Sequence, residues 1–379
     1  MLKIFFDFLL LKINLYKLQL NNIVGHTALK QKLNDMKYSG LLVLCAFLYF
    51  SVSMGQVATN KTAERYTQKA DTLFKVFKYD SAAVYYCKAA GLYEKGEDWL
   101  KSVENYRLTG NSFMSASKYD TALYYSQKAL GLAEEHFRKN NKDEMFEKSD
   151  ALITLARVNE KKGKYGEGLA LCRKALVLAV KTDSLNRLKI ANYWHEIGNA
   201  YENLGKYDSA LMFCLPALET RIKLLQGNSP ELAKSYHIIG IIYKDKGEYD
   251  KALEFKQKAL QIRVSVYGEN HPDVASSYNS IGISYEDKGE YDRALGFYQK
   301  ALQIRVSVYG ENHPDVADSY HNIGNNNMCK GDYDKALQFH QKVLQISISI
   351  YGENHPNVAT SYNNIGSIYQ YKGEYDKAL

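Results

Sequence analysis

The chain has 379 residues, 46 % of them hydrophobic, and a formal net charge of +7 that divides into +4 over residues 1–55, +6 over 56–230 and −3 over 231–379. Its lysines alternate with Asp and Glu around each turn, as on a solvated face. No basic stripe of the kind a phosphate backbone requires is formed, which argues against nucleic acid as a partner, and five scattered cysteines make no disulfide framework.

Residues 1–35 are lysine-bearing and apolar by turns, with Asp7 interrupting the first apolar run. Met36-Lys37, the apolar run Leu41–Phe50 and the small residues Ser53-Met54-Gly55 before Gln56 then complete a secretory signal pattern. Its late position predicts that residues 1–35 are an extension from a start assigned upstream. Residues 36–55 are the expected signal peptide, and the mature chain from Gln56 is expected to be exported, as a periplasmic, cell-surface or secreted protein. The alternative is a membrane anchor at residues 38–54, short against the roughly 20 apolar residues of a spanning helix. Apart from that segment, no membrane contact is expected. Cys45 is a poor lipidation site because Leu44 precedes it where a small residue is wanted. Asn60-Lys61-Thr62 fits a glycosylation acceptor, a short and weak signal.

From Thr62 the chain is periodic. Tyr79-Asp80 with Ala82 and Ala89 marks a first unit, Tyr119-Asp120 with Gly110, Ala122 and Ala129 a second, and Tyr165 with Ala156 and Ala175 a third. Intervals of 40, 46 and 42 residues between these tyrosines and Tyr207 place the irregularity in loops, notably the charged 138–150 segment. The fourth unit carries Trp194, Gly198, Tyr201 and Tyr207, and Pro216 predicts a kink in its second helix. Beyond Glu231 the period is a strict 42: Gly198, Gly240, Gly282, Gly324 and Gly366 mark it, and Tyr-Gly-Glu-Asn-His-Pro begins at Tyr267, Tyr309 and Tyr351. Periods of this size signal stacked supersecondary units.

Within one unit, Tyr278, Ile281, Gly282 and Tyr285 form one stripe at helical spacing, and Ala294, Tyr298 and Ala301 another. Two helices per unit follow. Gly282 and Ala294, like Gly240 with Ala252 and Gly324 with Ala336, let the helices approach where they cross, and the tyrosine rings fill the remaining space. Gly289 is expected to stop the first helix in a left-handed conformation, while Pro272 and Asp273 open the next one. Ile346–Ile350 alternates as a strand would, but it is in phase with Ile262–Val266 and Ile304–Val308, so helix is expected there too.

These residues resemble the tetratricopeptide repeat in its 42-residue, kinesin-light-chain-like form. Trp194 stands at the literal tryptophan of that motif, with Tyr236, Tyr278, Tyr320 and Tyr362 in its place later. His-Pro-Asp-Val-Ala at 271–275 and 313–317 and Asn363-Asn364 match the same version. The resemblance implies an all-α, right-handed superhelix, an α-solenoid of about eight helix-turn-helix repeats: four irregular ones over 62–230 and four near-identical ones over 231–379, the last truncated at Ala378-Leu379. A solenoid ends on a polar capping unit, so a longer natural protein is expected. No coiled-coil heptads accompany the repeats.

No phosphate loop, nucleophile elbow or His-Glu-x-x-His motif is present, so catalysis and cofactors are not expected. His271, His313 and His355 recur, but each lies a helix pair from the next, too far to share a metal, so a structural role in the loop is expected and no metal. Cys172 and Cys214 share one helix-B position; the cysteines read as small buried hydrophobes.

The resemblance places the first helices of the repeats along a concave groove. Positions one, five and eight after the stripe aromatic then face a ligand. These are His195 and Asn199, His237 and Ile241, Asn279 and Ile283, His321 and Asn325, and Asn363 and Ser367, with Lys244, Glu286, Met328 and Gln370 as third positions. Such a polar, nearly neutral groove suits the amides of an extended peptide, or equally a set of bonds between adjacent repeats through Asn364 and its counterparts. Lys244 alone is available for clamping a terminal carboxylate, so no strong preference for acidic C-terminal tails is expected. The expected function is a protein-interaction scaffold; the alternative is the sensing or recruiting region of a larger protein whose output domain, protease-like, kinase or DNA-binding, lies beyond residue 379.

Overall fold

The computed structural model describes residues 59–378 apart from 140 and 226. The expected extension, signal and anchor at 1–35, 36–55 and 38–54 lie outside the described residues. Within them, all regular structure is helical. The helices are α1 (59–75), α2 (Tyr79–Lys95), α3 (Trp99–Ser115), α4 (Tyr119–His136), α5 (Lys142–Lys161), α6 (Tyr165–Thr182), α7 (Arg187–Asn203) and α8 (Tyr207–Leu224). They continue with α9 (Pro230–Asp245), α10 (Tyr249–Tyr267), α11 (Pro272–Asp287), α12 (Tyr291–Tyr309), α13 (Pro314–Cys329), α14 (Tyr333–Tyr351), α15 (Pro356–Lys372) and α16 (Tyr375–Ala378). None of them is long and apolar enough to cross a membrane.

The chain divides into two compact units, one ending at Ser102 and one beginning at Val103. In the first, α1 and α2 meet through Ala63, Ala89 and Tyr93, with the Tyr86 hydroxyl donating to Asp71 Oδ1 at 2.6 Å. In the second, consecutive helices pair as hairpins, α5 with α6 through α15 with α16, and each hairpin packs on the next to form an α-solenoid.

The turns explain why the helices stop. Gly163, Gly205, Gly247, Gly289, Gly331 and Gly373 all have φ between +69° and +81°, two residues before the tyrosine that opens the second helix. Only glycine adopts this conformation cheaply, yet Phe77 and Ser117 hold the same position in the first two repeats at φ +62° and +59°. The longer connections are closed by histidine. His271, His313 and His355 are N-caps whose Nδ1 accepts from the backbone N–H two residues on, at 3.1–3.2 Å, while the ring stacks on Tyr267, Tyr309 or Tyr351 at 4.1–4.5 Å. Loop shaping is thus what these histidines do.

Between repeats, Asp208, Asp250, Asp292 and Asp334 in the first turns of second helices pair with Lys246, Lys288, Lys330 and Lys372, 38 residues later, at the C-terminal ends of the following first helices. Exposed pairs contribute little each, but they fix one stacking direction.

Two local expectations need correction. The charged 138–150 segment is mostly not loop: Asn141 caps Asp143 and Glu144, and α5 begins at Lys142, so the extra length went into a 20-residue helix. Cys329 is exposed at the end of α13 rather than buried, unlike Cys172 and Cys214. Pro216 lies inside the continuous helix α8. Ile346–Ile350 is helical, within α14.

Candidate functional site

From α5 to α9, first helices of successive repeats approach each other more closely than second helices do. Helix α5 packs directly on α7, and α7 on α9, whereas α6 and α8 have at most marginal contact. The first-helix side is therefore the inner side of this part of the stack.

In the regular repeats most of the side chains at offsets one, five and eight are engaged with neighbours. Asn279 accepts from Asn322 Nδ2 at 2.7 Å, so this groove candidate ties one repeat to the next, and Asn325 bonds His321 at 3.0 Å. Lys244 is held by Asp245 at 2.5 Å and faces Asp287 at 3.9 Å. Asn199 donates to Glu160 at 3.2 Å. His237 is half-buried with Nδ1 unpartnered, and burial pushes it down to about 3, so it is neutral. Asn363 and Ser367 remain exposed, Ser367 bonding back to the Asn363 carbonyl at 2.9 Å.

Ala252, Ala294 and Ala336 are fully buried, and Trp194 is half-buried in the stripe of α7. Opposite the glycines, one helix-B position 42 residues apart carries Cys214 against Gly198, Lys256 against Gly240, Tyr298 against Gly282 and His340 against Gly324. Gly366 instead faces the Ala378 carbonyl. Burial pushes His340 down to about 4 and Lys256 down to about 7. Lys256 is 2 % exposed and satisfies its amine with the Ser280 carbonyl at 2.9 Å and Ser284 Oγ at 2.7 Å on the next repeat.

The inner face of the irregular repeats differs in kind. Counting one and five from Tyr106 and Leu152, the counterparts of Trp194, reaches Arg107, Asn111, Ile153 and Arg157, and the eighth position after Leu152 is Glu160. Arg107 forks onto Glu147 at 2.5 and 3.3 Å, and Arg157 Nε donates to Glu196 at 2.9 Å with Nη2 on its second oxygen. Burial resists ionisation of Glu196, but the charge and hydrogen bonds of Arg157 prevail and hold it at about 2. Glu160 is pushed up to about 7 by burial and by Glu196, and Glu202 to about 7 by burial and its hydrogen bond with Asp245.

Between α3, α5, α7, α8 and α9 lies a cavity of about 250 Å³ bordered by Arg157, His195, Glu196, Arg221 and Lys234. A second, of about 510 Å³, lies among Asn325, Met328, His340, Ser367 and Tyr371. The expectation that Lys244 is the lone groove cation is overturned: Arg107, Arg157, Arg221 and Lys234 all line the first cavity. Chemically, the face offers paired charges, unpaired cations and amides that can orient a polar chain. Among the described residues, no group of three or more His, Cys, Asp or Glu side chains is placed to hold a metal.

A family model described as tetratricopeptide repeat matches residues 189–263, 231–305, 273–328 and 315–379, together just over half of the chain. No curated protein matches it significantly. Among solved structures, the chain is similar to BtubC (BKLC) from P. vanneervenii, with 23 % identity, TM-score 0.46, and coverage of 57 % of this chain and 84 % of that one. It is similar to Rap protein complexed with Competence and Sporulation Factor, with 12 % identity, TM-score 0.55, and coverage of 84 % and 95 %. The third is a signal transduction ATPase with numerous domains and a tetratricopeptide repeat sensor from Pyrococcus horikoshii, with 16 % identity, TM-score 0.51, and coverage of 84 % of this chain and 51 % of that one.

Proposed function

Because the chain belongs to the tetratricopeptide repeat family, we propose that it is a protein-interaction scaffold whose inner face holds an extended peptide or a segment of a partner protein. The observation that carries this reading is the concentration of polar side chains around the inner cavity of α3, α5, α7 and α9, where Arg107, Arg157 and Lys234 point into one space. Arg107 and Arg157 are paired with Glu147 and Glu196, while Lys234 is exposed and has no ion-pair partner among the described residues, so the face keeps a free cation that a polar chain can meet. The Rap relative, complexed with a factor, shares the fold at low identity, which is consistent with a ligand held by stacked helix pairs.

A binding selection tests this. Peptides selected from a random library on the chain should lose at least about tenfold in affinity when Asn199 and Lys234 are both changed to Ala, a loss typical of interface anchors. Changing Lys258 and Lys300, exposed on second helices, should leave binding intact. Equal loss from both sets, or none from the first, removes the inner-face assignment.

The second reading, a sensing or recruiting region of a larger protein, is favoured by the likeness to the sensor-bearing Pyrococcus protein, of which this chain covers 51 %. Reading the coding sequence past Leu379 separates the two, since an output domain makes the repeats its recruiting arm. Export through residues 36–55 is part of the proposal, and an N-terminus at Gln56 on protein recovered from its host is the expected result.

A further inference from the structure

The outer face of the irregular repeats is apolar where a solvated helix face is expected to be polar. Counting from the tyrosine that opens each second helix, Met212 and Leu215 of α8 stand where the following repeats carry Glu254 and Gln257, Gly296 and Gln299, and Gln338 and Gln341. Both are exposed, Met212 by 74 %. Ile222 completes a stripe with them at helical spacing, and Val177 and Val180 stand on the exposed side of α6. The position shared by Val180 and Ile222 stays apolar in the next three repeats, yet there Val264 and Val306 pack against buried core, whereas Ile222 is 51 % exposed. Beyond the end of α6 the chain turns through Leu185, at 83 % the most exposed large apolar side chain among the described residues. Apolar side chains gathered on one side of a folded chain mark a docking surface.

The charges around this face decide what covers it. Lys174 and Lys181 flank Val177 on the same side of α6, three residues before it and four after, and Arg187 follows Leu185. All three are exposed and have no ion-pair partner among the described residues. The carboxylates of α6, its following turn and α8 are already engaged: Glu167 with Lys164 at 3.3 Å, Asp183 with Lys142 at 3.2 Å, Glu219 with Lys223 at 2.6 Å, and Asp208 with Lys246. Apolar side chains rimmed by free cations fit a partner that is anionic at its surface and apolar beneath. A second copy placed face to face does not fit, because a two-fold interface presents the same patch from both sides and sets these cations against their own counterparts. A partner helix needs a groove to lie in, and between α5 and α9 the second helices lie on the outer, convex side. An anionic lipid surface meets both conditions: it admits apolar side chains at the acyl boundary and attracts lysine and arginine through its surface potential.

We propose that the outer face of α6 and α8, with the turn at Leu185, docks the chain on an anionic lipid surface. Leu185, Met212 and Ile222 enter the acyl boundary, while Lys174, Lys181 and Arg187 meet the headgroups. From the sequence, membrane contact is expected at residues 38–54 alone; helix length governs spanning a bilayer, whereas lying on one needs an apolar face with cations beside it. The second-helix side is opposite the inner face, so docking leaves that face free, and the inference stands whatever the inner face binds.

The experiment uses the chain from Gln56, the exported form proposed above, so that residues 38–54 contribute nothing. Its co-sedimentation is measured with vesicles of phosphatidylcholine alone and of phosphatidylcholine mixed in equal parts with phosphatidylglycerol. The expected result is binding at least about tenfold tighter to the mixed vesicles, weakened by added salt as exposed charges are screened. Leu185→Ser with Met212→Ser, and separately Lys174→Gln with Lys181→Gln, should each weaken that binding about tenfold with an unaltered thermal melt. Lys258→Gln with Lys300→Gln, the same neutralisation on second helices of the regular repeats, should change it less than about twofold. No binding, equal binding to both kinds of vesicle, or equal loss from the two lysine pairs overturns the proposal. Sedimentation equilibrium without lipid tests the other occupant: the chain is expected to remain a monomer, and a dimer that Met212→Ser abolishes would assign the face to a second copy instead.

Discussion

The ring of Tyr298 lies against Gly282 so closely that a Cβ at Gly282 would stand 2.7 Å from Cε1 and 2.8 Å from Cδ1. Tyr298 is 1 % exposed, and its hydroxyl is committed to Glu286 at 3.1 Å, so the ring has little freedom to retreat. Gly282→Ala should therefore lower stability by about 1–3 kcal/mol, as overpacked cores do. Gly296, exposed on α12, provides the opposite case, because a Cβ there would meet nothing within 4 Å. Gly296→Ala should raise stability by about 0.5–1 kcal/mol by restricting the unfolded chain. Denaturant midpoints of the two variants should move in opposite directions.

Lys256 is the next crossing residue down the stack, facing Gly240. Burial pushes its amine down to about 7, far below the unfolded value of about 10.4. Between those values the unfolded chain binds more protons than the folded one, so stability rises with pH across this window. The penalty is complete below about 7 and gone above about 10.4. Lys256→Met keeps the volume and removes the charge, leaving Ser284 Oγ near the Ser280 carbonyl. The variant should be more stable than the parent at pH 6, with the difference shrinking as the pH approaches 10. Melts at several pH values check this, and a gap that stays constant removes burial of the charge as its cause.

The repeat, its helices and its turns were legible because glycine, proline and tyrosine at 42-residue spacing report backbone geometry directly. The site was legible only in part. Counting offsets from Trp194 onward stopped short of Tyr106 and Leu152, and the same count from those two residues reaches Arg107 and Arg157. Arg221 lay outside that rule because it stands on a second helix, although its recurrence as Arg263 and Arg305 was visible in the sequence. Whether Asn279 faces a ligand or its neighbour Asn322 depends on the distance between repeats, which no single repeat encodes. The charged 138–150 segment misled for a related reason: charge marks solvent exposure, which a helix of this length shares with a loop.

His313 caps α13 through Nδ1, which accepts from the Asp315 N–H at 3.1 Å, and stacks on Tyr309 at 4.1 Å. A protonated ring has no acceptor left at Nδ1. Burial holds this histidine below its ordinary value, with Asp315 opposing. The folded state thus favours the neutral ring, and the stability it contributes is present above the unfolded value of about 6.5 and lost as pH falls below it. His313→Ala should cost about 0.5–2 kcal/mol at pH 8, while His313→Asn, itself a good cap, should recover most of it. Thermal melts at pH 8 and pH 5 should show the parent converging on His313→Ala at the lower pH.

Arg157 and Glu196 join two repeats at the edge of the cavity, with side chains 41 % and 12 % exposed. Glu196→Gln leaves the guanidinium without its counter-charge. Breaking a fully buried pair costs about 3–5 kcal/mol, but water reaches Arg157, so the expected loss is about 1–3 kcal/mol. With Glu196 held at about 2 in the folded chain, the contribution is present above the unfolded value of about 4.3 and lost as the pH falls toward 2. Arg157→Met in the same background should recover part of the loss, since the partner no longer needs a charge. A double-mutant cycle at pH 7 and pH 3 measures the coupling. A coupling of the same size at both pH values would show that the pair is held by packing rather than by charge.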